Sequence, residues 1–132
     1  MQEKDRLINE IGVEILNAED LEGYDNWQSL SVVIDIHEGH SANSGYIYFN
    51  DDVDPFMADS PNISKWTNLL QDLRECFHKE TGHYLKQMLV QIGNGEDECR
   101  MNTEFEFDDP HRWSITPANM KEMKEKLRPV FE

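Results

Sequence analysis

Two histidines, His37 and His40, stand three positions apart and could bind a metal ion. They superficially resemble the HExxH motif of zinc hydrolases. That motif needs two histidines one helical turn apart on a helix, whereas these two lie at the end of a predicted strand beside a glycine turn. His78 and His83, on either side of Gly82, do not point at a common site either. We therefore expect no metal and no cofactor. The alternative is a metal-dependent hydrolase that uses His37, His40 and nearby acids.

Carboxylates are the other groups that could do chemistry, because the chain holds 27 Asp and Glu residues. Glu104 and Glu106 could form an acid–base pair. They share a strand face with Arg100 and Asp108, however, and such a face is typical of a solvated sheet surface. The sequence has no Gly-x-Ser-x-Gly elbow, no phosphate-binding glycine loop and no reactive-cysteine context. We therefore predict that the protein is not an enzyme.

The formal net charge of −15 limits the partners that this chain can bind directly. Residues 1–64 hold 14 acids against 2 bases, whereas residues 65–132 hold 13 against 10. Nucleic acids and anionic membranes are polyanions, so a cationic protein is the natural complement. Trp27, Tyr46, Tyr48 and Trp113 could stack bases, but residues 27–59 contain no Lys or Arg, so core packing is the better explanation of most of these rings.

Length and patterning predict one domain over residues 1–132. No export signal or membrane span is visible in the sequence, so we expect a cytoplasmic protein that does not contact a membrane. Cys76 and Cys99 fit small buried hydrophobic positions and are expected to be free thiols, although a disulfide stays open.

Apolar periodicity predicts the order α-β-β-α-β-β-α. The expected fold is α+β, with an antiparallel sheet of about four strands and helices packed mainly on one face. The expected core aromatic residues are Trp66, Phe77, Phe105, Phe107 and Trp113. The predicted elements are a helix over 2–18, a connecting loop over 19–26, a strand over 29–38, a link over 39–44, a strand over 45–50, an acidic loop over 50–59, a helix capped at Ser60-Pro61-Asn62 and ended by Gly82, a strand over 85–92, a turn at 93–95, a strand over 99–108, and a helix from the N-cap Thr116 to Pro129.

The last of these segments carries a resemblance to a known family. It combines a charged antiparallel strand, an aspartate turn, Trp113, the run Thr-Pro-Ala-Asn over 116–119 and a short helix ending Leu-Arg-Pro. This arrangement resembles the C-terminal end of the YezG-like family of bacterial immunity proteins. Members of that family are small acidic cytoplasmic antitoxins that neutralise polymorphic nuclease toxins, including toxins delivered by contact-dependent or secretion systems. The close match covers roughly the last quarter of the chain, and elsewhere only element order and acidity agree.

The resemblance implies an immunity protein that forms a heterodimer with a cognate toxin domain. It does not identify contact residues, so charge guides that choice. A protein that presents fixed carboxylates can occupy the positive groove of a nuclease in place of the phosphate backbone. Solvated loops explain each acidic cluster about equally well, and an acidic adaptor with a partner that is not a toxin stays a second alternative. The predicted toxin-binding residues are Asp51, Asp52, Asp54, Asp108, Asp109 and His111.

Overall fold

The computed structural model describes residues 2–49, 52–95 and 98–130, which form an antiparallel sheet covered by helices. The predicted α+β class is confirmed, with five strands in place of about four. In chain order the elements of this described part are α1 (Glu3–Leu16), a 3₁₀ helix (Glu19–Gly23), β1 (Ser29–His37), β2 (His40–Phe49), β3 (Asp52–Phe56), α2 (Ile63–Thr81), β4 (Gln87–Asn94), β5 (Cys99–Glu106) and α3 (Met120–Lys126).

The strand order in the sheet is β3-β2-β1-β4-β5, and every neighbouring pair is antiparallel. The strand β1 is central, since Ser29 pairs with Tyr48 of β2 on one side and with Gly93 of β4 on the other. The strands β3 and β5 form the two edges. Both run parallel to β1, so their first residues lie at the same end of the sheet.

Helices α1 and α2 pack together on one face of the sheet, where they bury the side chains of one parity of β1. Ile11, Ile34 and Leu70 are fully buried there, and the predicted core residues Trp66 and Phe77 belong to the same cluster. Packing on one face therefore holds for the two long helices. Phe105 and Phe107 pack against this cluster but are only half-buried, because β5 is an edge strand.

The short helix α3 covers the opposite face with Trp113, which is buried as predicted. Tyr46 and Tyr48 lie under this layer, in agreement with their assignment to core packing. Their hydroxyls donate to the backbone carbonyls of Met120 at 3.0 Å and of Lys124 at 2.8 Å. Lys124 belongs to the last turn of α3, where backbone carbonyls have no intrahelical partner, so Tyr48 satisfies one of these carbonyls.

Gln87 attaches Trp113 to the sheet, although its side chain is completely buried. Its carbonyl oxygen accepts the backbone N–H of Trp113 at 2.8 Å, and its amide donates to Asp35 at 2.7 Å and to the Ser114 hydroxyl at 3.2 Å. A buried amide is expensive unless its hydrogen bonds are made, and here both ends are used. The turn before α3 is therefore fixed by polar contacts as well as by burial.

Several predicted boundaries are wrong. The link expected over 39–44 belongs mostly to β2, which begins at His40 after a two-residue turn in which Gly39 has a φ of 80°. The loop expected over 50–59 contains the strand β3. The turn expected at 93–95 begins later, because Gly93 and Asn94 still pair within the sheet.

The N-terminus of α3 also differs from the prediction. Thr116 was the expected N-cap, but the helix begins at Met120 and Asn119 precedes it as N-cap. The Asn119 side chain accepts the backbone N–H of Thr116 at 2.7 Å and donates to the carbonyl of Ser114 at 3.0 Å. These bonds stabilise a turn over residues 116–119, since asparagine side chains compete with helical hydrogen bonding. The helix therefore begins after this turn, at Met120.

The two cysteines are free, and Cys76 is half-buried. The predicted burial of Cys99 is wrong, because this residue is exposed. It is the first residue of the edge strand β5 and pairs only with Asn94, which is itself exposed.

The start of α2 offers a simple test of local structure. The Asn62 side chain accepts the backbone N–H of Lys65 at 3.0 Å, as predicted for an N-cap. We expect Asn62→Ala to lower the free energy of unfolding by about 1 kcal/mol, because it leaves a first-turn N–H without this acceptor. Urea denaturation measures the effect. Asn62→Asp keeps an acceptor and should retain most of the stability, so equal losses in the two variants would contradict the capping role.

Candidate functional site

The predicted toxin-binding residues fall at two distant corners of the sheet. Asp52 and Asp54 lie on β3, whereas Asp108, Asp109 and His111 follow β5. Four strand spacings separate these edges, a distance of roughly 19 Å. Asp52 opens its strand and Asp108 comes after the end of its own, so the two groups also lie at opposite ends of the sheet. They do not form one continuous surface. Asp51 lies outside the described residues.

The acids after β5 shape the turn that leads to Trp113. The Glu106 carboxylate accepts the backbone N–H groups of Asp108 at 3.0 Å and Asp109 at 3.1 Å, and the Asp109 carboxylate accepts the N–H of His111 at 2.9 Å. Arg112 forms an ion pair with Glu106 at 3.2 Å. In the structure, Asp108, Asp109 and His111 take part in the hydrogen bonds of this turn. Their contact with a toxin stays a prediction.

This turn should make stability depend on pH. The N–H groups of Asp108 and Asp109, and then Arg112, hold the pKa of Glu106 below its ordinary value. The stability from these contacts is therefore present above about pH 4.5 and is lost as the pH falls through the lowered pKa of the folded state. We expect Glu106→Gln to flatten the loss of stability between about pH 5 and pH 3, measured by thermal unfolding. Glu104→Gln, an exposed position on the same strand, should leave the profile unchanged.

The opposite corner collects acids from three segments of the chain. The Tyr24 hydroxyl donates to the Asp54 carboxylate at 3.2 Å, and the N–H of Met57 donates to the Asp20 carboxylate at 3.3 Å. The backbone N–H of Glu19 also donates to the carbonyl of Asp59 at 3.3 Å. These bonds attach the 3₁₀ helix to β3 and to the residues after it. We call the resulting set the acidic edge: Glu19, Asp20, Glu22, Asp25, Asp52, Asp54 and Asp59.

The acidic edge lacks a basic partner in the part of the chain that the structure describes. Within residues 2–49, 52–95 and 98–130, none of its seven carboxylates forms an ion pair, whereas Glu3 and Glu10 pair with Arg6, and Glu125 pairs with Arg128. The sequence explains this, since residues 7–64 contain no Lys or Arg. Six of the seven side chains are exposed and Asp54 is half-buried. The acidic edge therefore presents a concentrated negative field to solvent.

The hydroxyl of Tyr24 responds to this field. Burial raises the pKa of Tyr24, and the nearby carboxylates of Asp54 and Asp20 raise it further, because ionisation would place another negative charge beside them. The hydroxyl thus stays protonated at neutral pH and keeps donating to Asp54. Residues 19–26, for which the sequence predicts only a connecting loop, therefore contribute to this site.

The backbone of β3 is poorly suited to pairing with a further strand. Pro55 has no N–H to donate, and the N–H of Met57 already donates to Asp20. Proline and charged side chains are common devices that block edge strands. A partner at this edge would therefore meet side chains, chiefly carboxylates, more than free backbone groups.

The histidines adopt a geometry set by the first hairpin. His37 and His40 are cross-strand partners with stacked rings whose centroids are 4.6 Å apart. Gln71 binds the turn between them, accepting the N–H of Gly39 at 3.2 Å and donating to the carbonyl of His37 at 2.8 Å. In the described part of the chain, no three His, Cys, Asp or Glu side chains are grouped so that they could hold a metal ion.

Comparisons with protein-family models and with curated proteins give no match to this chain. The resemblance to the YezG-like family thus stays a prediction. A search of the described residues finds no helix with the length and apolar character needed to cross a membrane. The acidic edge groups seven carboxylates that have no ion-pair partner among the described residues, and the proposed function is based on it.

Proposed function

We propose that this chain is an immunity protein that binds a cationic toxin domain, a nuclease, through the acidic edge and thereby blocks the toxin's active site. The observation that carries the proposal is the grouping of seven carboxylates on one edge without a basic partner among the described residues. A nuclease must offer positive charge to bind phosphates. Carboxylates held at fixed positions can take the place of those phosphates.

The acidic edge is partly organised before any partner arrives. Asp20 and Asp54 are fixed by Met57 and Tyr24, and Asp52 and Asp54 belong to a strand paired along β2. Side chains and loops that are already ordered lose less conformational entropy on binding. The ordering of Asp20 and Asp54 by hydrogen bonds favours a docking surface, because an acidic loop that only interacts with solvent can form without such bonds.

Charge at the acidic edge would act on the rate of association as well as on specificity. Complementary fields can raise association rate constants to about 10⁸–10⁹ M⁻¹s⁻¹ at low salt. An inhibitor of a toxin benefits from this speed, because damage begins as soon as the toxin is free. The same negative field repels nucleic acid. The immunity protein would therefore bind the toxin without binding the nucleic acid that the toxin cuts.

The corner at Asp108 and Asp109 is the weaker candidate for toxin contact. Arg112 lies beside it through the ion pair with Glu106, and Lys86 donates to the carbonyl of Asp108 at 3.3 Å. These two cations reduce the local negative field. We therefore propose that docking occurs at the acidic edge, which includes Asp52 and Asp54.

Co-purification with the product of the gene immediately upstream tests the proposal. We expect a one-to-one complex, loss of the nuclease activity of that product when the complex forms, and weaker binding at high salt. A basic partner without toxic activity would favour the acidic adaptor instead. Turnover of a substrate by the isolated protein, or stoichiometric zinc or manganese in the purified protein, would favour a metal-dependent hydrolase and contradict the proposal.

A further inference from the structure

Exposed apolar side chains border the acidic edge. Met57 is 56 % exposed and Met120 is 41 % exposed, although both carry large apolar side chains. Met57 directly follows β3, and its backbone N–H is bound by Asp20 of the acidic edge. Exposed methionine beside unneutralised charge is typical of binding surfaces, because methionine adapts to varied partner shapes.

The two methionines line an open groove of about 270 Å³. Tyr46 and Phe56 are buried residues that contribute to its lining, and Ile115, from the turn before α3, adds another apolar side chain. Asp20 also lines this groove, and no Lys or Arg among the described residues does so. A mainly apolar depression thus opens next to the acidic edge.

We infer that this groove, which we call the Met57 groove, receives one apolar side chain of a basic partner while the acidic edge binds the surrounding cations. The inference rests on the proposed function and adds the anchoring residue type, such as leucine, methionine or phenylalanine. Strong protein interfaces commonly combine a buried apolar anchor with a polar rim. Here Asp20 belongs to both parts, since it is a member of the acidic edge and lines the groove.

Charge selects this occupant over the others that an apolar groove could take. A second copy of the chain would bring another net charge of −15 against the acidic edge. Anionic lipid surfaces and nucleic acids would be repelled for the same reason. A positively charged protein segment that presents an apolar side chain satisfies both parts of the surface at once.

Met57 also borders a second depression, of about 420 Å³, towards the start of α2. Ile63, which is 71 % exposed, lines this second depression together with Trp66. Met57 therefore stands between two hollows, and its removal should affect an anchor placed in either of them. This makes Met57 the most informative position for a test.

Two basic peptides provide the probe. Each has nine residues, with lysines on both sides of a central residue that is leucine in one peptide and serine in the other. We expect the leucine peptide to bind about tenfold more tightly, since burying a leucine side chain contributes a favourable term of this order. In NMR spectra of methyl-labelled methionine, the leucine peptide should shift the signals of Met57 and Met120. Met88 and Met123, which are buried, should stay unchanged.

Variants separate the groove from the charge. Met57→Gln keeps the length of the side chain but makes it polar, and it should abolish the preference for leucine. Val13→Thr is the matched control, because Val13 is 53 % exposed on α1 and lines neither hollow. Equal affinities for the two peptides, with shifts at the amides of Asp52 and Asp54 only, would overturn the anchor and leave the proposed function standing. An absence of shifts at both places would overturn both proposals.

Discussion

Replacing Gly45 with alanine is expected to lower the free energy of unfolding by about 3 kcal/mol, because overpacking against rigid structure is costly. A Cβ atom at Gly45 would lie 1.8 Å from the carbonyl oxygen of Ser31 and 3.0 Å from the Cα atom of Val32. Both of these atoms are backbone, so neither can be relieved by a change of rotamer. Either β2 or β1 would have to move.

The surroundings of Ser31 leave little freedom for that movement. Ser31 pairs with Tyr46 on one side and Gln91 on the other, and its hydroxyl donates to the carbonyl of Leu127 in the layer of α3. Displacement of β1 would therefore disturb the sheet and the helix layer together. Displacement of β2 would reach β3, since Gly45 also pairs with Phe56.

Urea denaturation measures the effect, and Gly12→Ala is the matched control. A Cβ atom at Gly12 would meet the sulfur of Met101 at 2.6 Å, but a methionine side chain can move away. Alanine is also favoured over glycine within a helix by about 1 kcal/mol, so the net change should be small. An unfolding midpoint of Gly45→Ala equal to that of the unchanged protein would contradict the close approach of β2 and β1.

Local sequence signals predicted the helices α1 and α2 and the strand β5 well. Asn62 begins α2 because its side chain accepts the backbone N–H of Lys65, three residues later. Gly82 ends the helix because it adopts a φ of 79°. The alternation of apolar and polar residues along β5 likewise indicates one face that packs against the core and one face that is exposed to solvent. Each of these features depends on the chemistry of neighbouring residues, which the sequence displays directly.

Tertiary context decided the elements that were predicted wrongly. The sequence over residues 51–55 contains three aspartates and Pro55, a composition typical of loops, yet the described part, Asp52–Phe56, pairs with β2 as an edge strand. Proline is tolerated there because an edge strand needs only one side of its backbone for pairing. The position of β3 at an edge depends on the strand order, and no short window of sequence contains that information.

The sequence predicted only part of the acidic edge, again because tertiary contacts bring distant residues together. Asp52 and Asp54 were predicted as site residues from their density, whereas Asp20 and its neighbours were assigned to a connecting loop. About thirty positions separate the two groups, and the contact of Tyr24 with Asp54 joins them. The one sequence signal for the complete set was the lack of any Lys or Arg over residues 7–64.

Neutralising part of the acidic edge is expected to slow complex formation with the proposed cationic partner by about tenfold, since electrostatic steering can contribute factors of about 10 to 10³. The variant Glu22→Gln/Asp52→Asn/Asp54→Asn removes three of the seven charges and changes the net charge from −15 to −12. Asparagine at position 54 still offers an oxygen to the Tyr24 hydroxyl, so the local geometry should survive. The association rate should also depend less on salt, measured by stopped-flow mixing between about 0.05 and 0.5 M NaCl.

A second triple variant shows whether position or total charge matters. Glu104→Gln/Asp108→Asn/Asp109→Asn makes the same change in net charge at the opposite corner of the sheet. If the partner docks at the acidic edge, this variant should associate at nearly the original rate, because separations beyond about 10 Å are largely screened at 0.1 M salt. Equal slowing by both variants would mean that the overall charge attracts the partner and that no particular edge does. Slowing by the second variant alone would transfer the docking site to Asp108 and Asp109.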